Sequence, residues 1–299
     1  MAINYAEKYS NIIDERFKQG ALTDSILNTQ YEFDGVNTVN IYSVDTVPLN
    51  DYNINAAANR YGTPAELGND IQTLRLTQDK SFTFTIDRRN RDDTMMANSA
   101  GLALNREIDE VVIPTIDKYR ISKLVSGAGT ILRNMDGISK ANAYEKFLNS
   151  SIALIDKKVP TTGRVAFVTP YFYKCVKLDK NFVSYADKAY EIAANGVVGY
   201  IDNTEIVVTP TDYFPKGVDY IIVYKGSLLS PLKLSEYIEH ENPVGISGWV
   251  CEGRIYYDAF VPNNKKDGIY VSANSEFESA ADNDSDPQEQ NENSESPTE

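Results

Sequence analysis

Ser81-Phe82-Thr83-Phe84-Thr85-Ile86-Asp87, followed by a long helical pattern from Asp92 to Val125, decides how this chain is read. Phe82, Phe84 and Ile86 alternate with Ser81, Thr83 and Thr85, the period-two pattern of a strand with one buried face. Just upstream, Ile71-Gln72-Thr73-Leu74-Arg75-Leu76-Thr77 reads as a second strand. The polar triplet Gln78-Asp79-Lys80 between them predicts a hairpin, with Lys80 at its tip. The rhythm then changes to threes and fours at Ala97, Ala100, Leu104, Ile108 and Val111, one face of a helix. Asp92, Asp93 and Thr94 are candidate N-caps, where acidic side chains suit the helix dipole. Pro114 is expected to bend this helix and not to end it, because the apolar pattern resumes at Ile116 and Tyr119. At 1.5 Å per residue the helix would span roughly 50 Å.

Working outward, Tyr5, Tyr9, Ile12, Ile13 and Phe17 share one helical face and Gly20 follows as a stop, which predicts a short amphipathic arm docked on another surface. Val36 to Val47 reads as an extended strand ending at Pro48, and residues 50–69 as a loop-like stretch. Beyond the helix, Ser126-Gly127-Ala128-Gly129-Thr130 looks like a hinge into a compact α/β region. That region has a helical stripe from Ala141 to Ile155, a strand at Arg164–Thr169, helices at Tyr171–Leu178 and Tyr185–Asn195, and a strand at Glu205–Val208. Strands at Tyr220–Tyr224, Gly248–Val261 and Ile269–Ser272 close the pattern. The expected organisation is an arm with its connecting strand (1–69), the hairpin (70–91), the long helix (92–130), the compact domain (131–215), returning strands (216–272) and a tail (273–299).

The tail carries nine carboxylates, no Lys or Arg, and Phe277 as its sole large apolar residue, so it is expected to be disordered. Setting those nine aside leaves 34 acidic against 29 basic residues, and a net-acidic body lacks the basic face of a nucleic-acid reader. The start, Met1-Ala2-Ile3-Asn4, shows no basic and apolar leader pattern, and no stretch approaches a membrane span. Two cysteines, Cys175 and Cys251, do not make a disulfide framework, and synthesis in a reducing cytoplasm is the simplest expectation.

Catalytic, cofactor and metal readings find no set of residues. His240 is the single histidine and precedes Asn242-Pro243, a solvated turn; one His and two distant Cys assemble neither a zinc site nor a nucleophile pair. Gly127-Ala128-Gly129 lacks the ending of a P-loop, and Gly196-Val197-Val198-Gly199 lacks the dinucleotide fingerprint. Arg106/Glu110 and Asp117/Arg120, four and three apart, mark a salt-bridged solvated or inter-subunit helix face. Arg88-Arg89-Asn90-Arg91-Asp92-Asp93 is the sharpest charge cluster. It has no interleaved aromatics, so contact with an acidic neighbouring subunit is expected ahead of nucleic acid, with an ordinary charged turn as the alternative.

The order of these segments resembles the major capsid proteins of tailed bacteriophages, with their Hong Kong 97-type α+β fold. The arm, the hairpin Ile71–Asp87, the spine helix Asp92–Val125, a compact axial domain and a returning peripheral sheet match that layout over roughly residues 1–272. The stretch Cys251-Glu252-Gly253-Arg254-Ile255-Tyr256-Tyr257-Asp258-Ala259-Phe260-Val261 and the later Lys266-Asp267-Gly268-Ile269-Tyr270-Val271 look like closing strands of such proteins. The resemblance implies pentamers and hexamers of an icosahedral shell around double-stranded DNA, with the hairpin lying over an adjacent subunit. It implies inter-subunit contacts through Gln78, Asp79, Lys80, Phe82, Phe84, Arg88, Arg89 and Arg91. It also implies a separate scaffolding protein, a portal protein, DNA held by non-specific proximity only, no membrane partner, and a place in the virion. An encapsulin-like compartment shell shares the fold and is the alternative; a phage tail or surface-binding protein and a hydrolase come after it.

Overall fold

Val165, Ala166, Phe167 and Val168 follow one another without a polar residue, the mark of a strand buried on both faces. The computed structural model, which describes residues 21–28, 38–44, 46–55, 58–64, 66–93, 100–179 and 197–277, puts this strand inside a six-stranded mixed sheet. The strands in chain order are β1 (Thr38–Val44), β2 (Asn69–Arg75), β3 (Gln78–Asp87), β4 (Thr130–Arg133), β5 (Arg164–Val168), β6 (Val197–Ile201), β7 (Thr204–Val208), β8 (Val218–Tyr224), β9 (Leu232–Glu241), β10 (Gly248–Tyr257) and β11 (Ile269–Ala273). The helices are α1 (Arg88–Asp93), α2 (Ala100–Glu107), α3 (Ile113–Ser126), α4 (Ala143–Asp156) and α5 (Pro170–Lys177), with a π-helical turn, Ile108–Val112, joining α2 to α3.

The six-stranded sheet runs β4-β11-β8-β5-β7-β6. Side chains alternate along it between two cores. Ala166, Val168, Tyr220, Ile222 and Tyr270 face Phe147, Leu154, Phe172 and Val176 of α4 and α5. Val165, Phe167, Ile221, Val223 and Val271 face Ile121, Leu124 and Val125 at the end of α3, joined there by Leu22, Ile26 and Phe277. Thr169 starts α5 by accepting the Phe172 N–H, and Pro170 takes the first helical position, where its missing N–H costs nothing. Arg164 is wholly buried because Pro160 O, Val159 O, Ser151 O and Ser151 Oγ accept its guanidinium hydrogens.

The predicted hairpin does not form. β2 pairs with β1 in a two-stranded ribbon, while β3 pairs with β10, which also pairs with β9, in a separate three-stranded sheet. Gln78-Asp79-Lys80 is the first stretch of β3 and not a turn, since it offers no Gly, Asn or Pro to reverse the chain. The two-stranded ribbon is therefore β1–β2, with residues 46–68 between its strands.

A helical turn begins earlier than expected, as α1 at Arg88, and Asp87 Oδ1 accepts the Arg89 N–H at 2.9 Å as its cap. Asp92 and Asp93 lie at the end of α1, and Thr94 falls outside the described residues. Past Pro114 the helix continues as expected, to Ser126. The helix accommodates the missing Pro114 N–H just upstream, where the Ile113 N–H reaches back five residues to Ile108 O and Thr115 Oγ1 donates to Val111 O at 2.6 Å.

Gly127 and Gly129 are not a loose hinge. A Cβ on Gly127 would sit 2.7 Å from the Val261 side chain, and one on Gly129 would sit 2.5 Å from Lys266 O. Both glycines permit close approach, and the Gly129 N–H donates to that same carbonyl. The tail boundary also moves. Ala273 completes β11 and Phe277 is buried in the core under α3, so the acidic segment without apolar anchorage starts after Phe277, beyond the described residues. The stripe from Tyr5 to Phe17 and the helix at Tyr185–Asn195 lie outside the described residues.

Candidate inter-subunit surfaces

The loop closing the ribbon holds large apolar side chains that stand exposed among the described residues. Val47, Leu49, Tyr52, Ile54, Tyr61 and Leu67 are exposed, Leu49 at 102% and Tyr61 at 84%, and Ile71 on β2 is exposed with them. The loop nonetheless has internal order: the Asn53 N–H donates to Arg60 O at 3.0 Å, and the rings of Tyr52 and Tyr61 meet edge to face with centroids 5.0 Å apart. Its base is anchored, since Ile41 and Leu74 pack on Leu229 and Phe260, and Gln72 Oε1 accepts the Asn263 N–H. A two-stranded ribbon with wet apolar side chains at its tip is stable only against a further surface.

The expected contact residues are arranged otherwise than the sequence implied. Phe82 packs on Val112, Ile255 and Tyr257 under the spine, and its ring centroid lies 6.1 Å from that of Tyr237. Phe84 packs with Ile86, Cys251, Ala103 and Trp249. Both are half-buried within the subunit, between sheet and helix. Asp79 takes two hydrogen bonds from Arg254, at 3.0 and 2.6 Å, and the guanidinium holds its carboxyl below the usual range. Gln78 donates to Thr77 Oγ1, and exposed Lys80 borders a cleft of about 140 Å³ between β3 and the π turn, lined by Phe82, Val111, Ile116, Ile255 and Tyr257. Arg88 donates to Asn242 Oδ1 at 2.7 Å and lies over the Trp249 ring; Arg89 is exposed on α1 and Arg91 is the residue after next along it.

Arg106 and Glu110 do pair, at 3.2 Å. Asp117 and Arg120 are not on a solvated face. Asp117 is 1% exposed and accepts the Leu22 N–H at 2.8 Å and the Thr23 hydroxyl, while Arg120 reaches Asp24 at 2.6 Å and Thr23 Oγ1 at 2.9 Å. Burial pushes the Asp117 carboxyl up against the opposing pull of Thr23, Leu22 and Arg120. The spine thus clamps residues 22–24 to the body.

One carboxylate escaped notice in the sequence. Asp258, directly after β10, is 1% exposed and accepts four hydrogen bonds. Its Oδ2 takes the Thr77 N–H and the Thr77 hydroxyl, both at 2.8 Å; its Oδ1 takes the Tyr119 hydroxyl and the Ala259 N–H, both at 2.7 Å. Burial, then Asp258, pushes the Tyr119 hydroxyl up to about 12, so it stays a donor at any ordinary pH. Arg120 Nε donates to Ser230 Oγ, which donates to Asp258 O, so both clusters form one network. No spacing rule marks such a residue, because its partners lie 181 and 139 positions away.

His240 approaches Glu252 at 3.6 Å, opposite Val250 in the register, while Cys251 pairs with Glu239 and is buried; neighbours along a strand point to opposite faces, so these two do not meet. Among the described residues no group of three or more His, Cys, Asp or Glu is placed to hold a metal ion, and no helix is long and apolar enough to cross a membrane.

No protein-family model and no curated protein sequence matches this chain. Solved structures do. The mature capsid of bacteriophage PhiM1 superposes with a TM-score of 0.70 at 11% identity, covering 92% of this chain and 93% of that one. The capsid of cyanophage P-SCSP1u gives 0.68 at 9% identity, covering 91% and 94%. A virus-like particle from Pyrococcus furiosus gives 0.50 at 10% identity, covering 84% and 96%. Mixed helix and sheet that superpose over nine-tenths of the chain give this protein the α+β, Hong Kong 97-type fold of tailed-phage capsid subunits.

Proposed function

We propose that this chain is the major capsid protein of a tailed bacteriophage, assembling into pentamers and hexamers of an icosahedral shell that encloses double-stranded DNA. The observation that carries the reading is the ribbon tip: Leu49, Ile54 and Tyr61 stand exposed on a loop of a chain that superposes on capsid subunits over about nine-tenths of its length. Burying one such side chain gains about 1.5–3 kcal/mol, and repeated around a ring of copies this drives association. A structural role in place of catalysis agrees with the paired and packed state of His240, Cys175 and Cys251. The acidic balance of the chain suits a container for a polyanion, which it holds without base contacts. A separate scaffolding protein and a portal protein complete the partner set, and Arg88, Arg89 and Arg91 act between subunits.

The test is expression of the full chain with and without the genes that neighbour it, followed by sedimentation and electron microscopy. Closed shells that package DNA when scaffold and portal are supplied are the expected result. A chain that stays monomeric at high concentration with those partners present overturns the proposal. The compartment reading, carried by the weaker likeness to the Pyrococcus particle, would be favoured by closed shells forming from this chain alone and excluding DNA.

A further inference from the structure

One strand of the ribbon, β2, passes into β3 through two residues, Leu76 and Thr77. Beside the packing of Ile41 and Leu74 at the ribbon base, a link that short between two different sheets makes the ribbon's direction depend on what grips the link. Leu76 is buried, and its carbonyl accepts the Tyr256 hydroxyl at 3.1 Å. Thr77 gives both its N–H and its hydroxyl to one oxygen of Asp258, whose other oxygen is held by the spine through Tyr119 and by its own chain through the Ala259 N–H. A buried carboxylate with four converging donors is rigid, because any rotation leaves a donor or a charge unpaired. Its backbone carbonyl is tied through Ser230 to Arg120, which also grips Thr23 and Asp24. Spine, peripheral sheet, N-terminal segment and ribbon base therefore meet on one group.

We infer that Asp258 is the positioning residue that fixes the direction of the ribbon relative to the body, and through it the curvature and uniformity of the assembled shell. The effect on shell shape rests on the assembly reading above; the effect on ribbon direction does not. Asparagine at this position keeps the volume but offers one acceptor oxygen where two are used, leaving Thr77 or the Tyr119 side without its partner.

Spin labels at Leu49→Cys, on the ribbon tip, and Ile152→Cys, exposed on α4, report ribbon direction in the free subunit; Cys175 and Cys251 are buried and do not compete. The expected result is a single narrow distance distribution in the otherwise unaltered chain, and one that is roughly doubled in width by Asp258→Asn. Thr77→Val, which removes only the ribbon-side hydroxyl, broadens it in the same direction. Tyr119→Phe removes one of two bonds to the oxygen that Thr77 does not use, which the Ala259 N–H still holds, and leaves the distribution narrow, even where it lowers thermal stability. In assembly, Asp258→Asn and Thr77→Val give shells of more than one diameter and Tyr119→Phe gives shells of one. If Asp258→Asn fails to fold, the contrast between Thr77→Val and Tyr119→Phe decides alone. A distribution as broad in the parent as in the variants, or equal broadening by Tyr119→Phe, overturns the inference. Distances that respond as expected in a chain that never forms shells leave the joint standing and remove the capsid reading.

Discussion

Single residues in this chain are decided by what meets them across the sheet. Gly253 faces Phe82 on one neighbouring strand and Tyr237 on the other, and a Cβ there would lie 2.3 Å from the Phe82 ring. Gly253→Ala is expected to cost about 1–3 kcal/mol by overpacking, read as a lower urea midpoint with an unchanged slope. Asp219 offers a second test. Burial pushes its carboxyl up to about 6, with Lys146 offsetting part of the rise, and one of its oxygens is buried without a hydrogen-bond partner. A group raised in the folded state stabilises when protonated: its contribution is fully present below the unfolded value near 4 and is lost as pH rises through about 6. Asp219→Asn should therefore be more stable than the parent at pH 7, by on the order of 1 kcal/mol once solvent screening is allowed for, and the gap should close towards pH 4 in thermal melts. A gap that widens on acidification would mean that Lys146 dominates.

At the scale of elements, the chain's strands and helices were legible because their periodicities are local: Arg164–Val168, Pro170–Lys177, Gly248–Tyr257 and the helix through Pro114 all lie where the pattern predicts. Pairing was not legible. Phe82, Phe84 and Ile86 do mark a buried face, but the partner strand β10 lies far along the chain, and adjacency in sequence suggested β2 instead. The exposed apolar side chains also fall outside β3, in residues 46–71, which composition presented as plain loop. Two substitution sets separate these surfaces. Phe82→Ser should unfold the subunit by about 3 kcal/mol, as for a truncated core aromatic. Leu49→Ser with Ile54→Ser and Tyr61→Ser should leave its melting temperature unchanged and abolish assembly. At the C-terminal end, cutting after Phe277 should leave stability intact, whereas cutting after Ser272 removes Ala273 and Phe277 from the core and should cost about 3–5 kcal/mol in denaturant titrations. The clamp at the N-terminal side is as strong: Asp117→Ala leaves the Leu22 N–H without its partner and Arg120 short of one carboxylate, and about 3–5 kcal/mol should be lost.

For the whole molecule, the α+β fold was readable as a resemblance to phage capsid subunits, though not the pairing that makes the ribbon, and the likeness at 9–11% identity shows why motifs were not. What such subunits share is an order of burial patterns, which many sequences satisfy. The network at Asp258 was invisible for the opposite reason: one carboxylate among 43 acidic residues carries no pattern at all. Charge acts at this largest scale too. With a formal charge of -14, copies repel before their apolar tips meet, so raising salt from about 50 to 500 mM should speed assembly several-fold in light scattering. An insensitive rate would mean that contact, not approach, limits the process.

The order of synthesis gives the sheet pairing a further meaning. β3 has no partner until β10 emerges from the ribosome, and β4 none until β11 does. At about 5–20 residues per second, the stretch from Asp87 to Gly248 takes roughly ten to thirty seconds to make, and for that time β3 has no strand beside it and Phe82, Phe84 and Ile86 have only the helical segment around Ala103 and Val112 to pack on. Asp258 arrives later still, directly behind β10, so the ribbon acquires a direction only when the peripheral sheet is already closed. A chain stalled before residue 258 has the exposed tip without the carboxylate that grips Thr77. On the assembly proposed above, completion of translation therefore precedes competence to assemble.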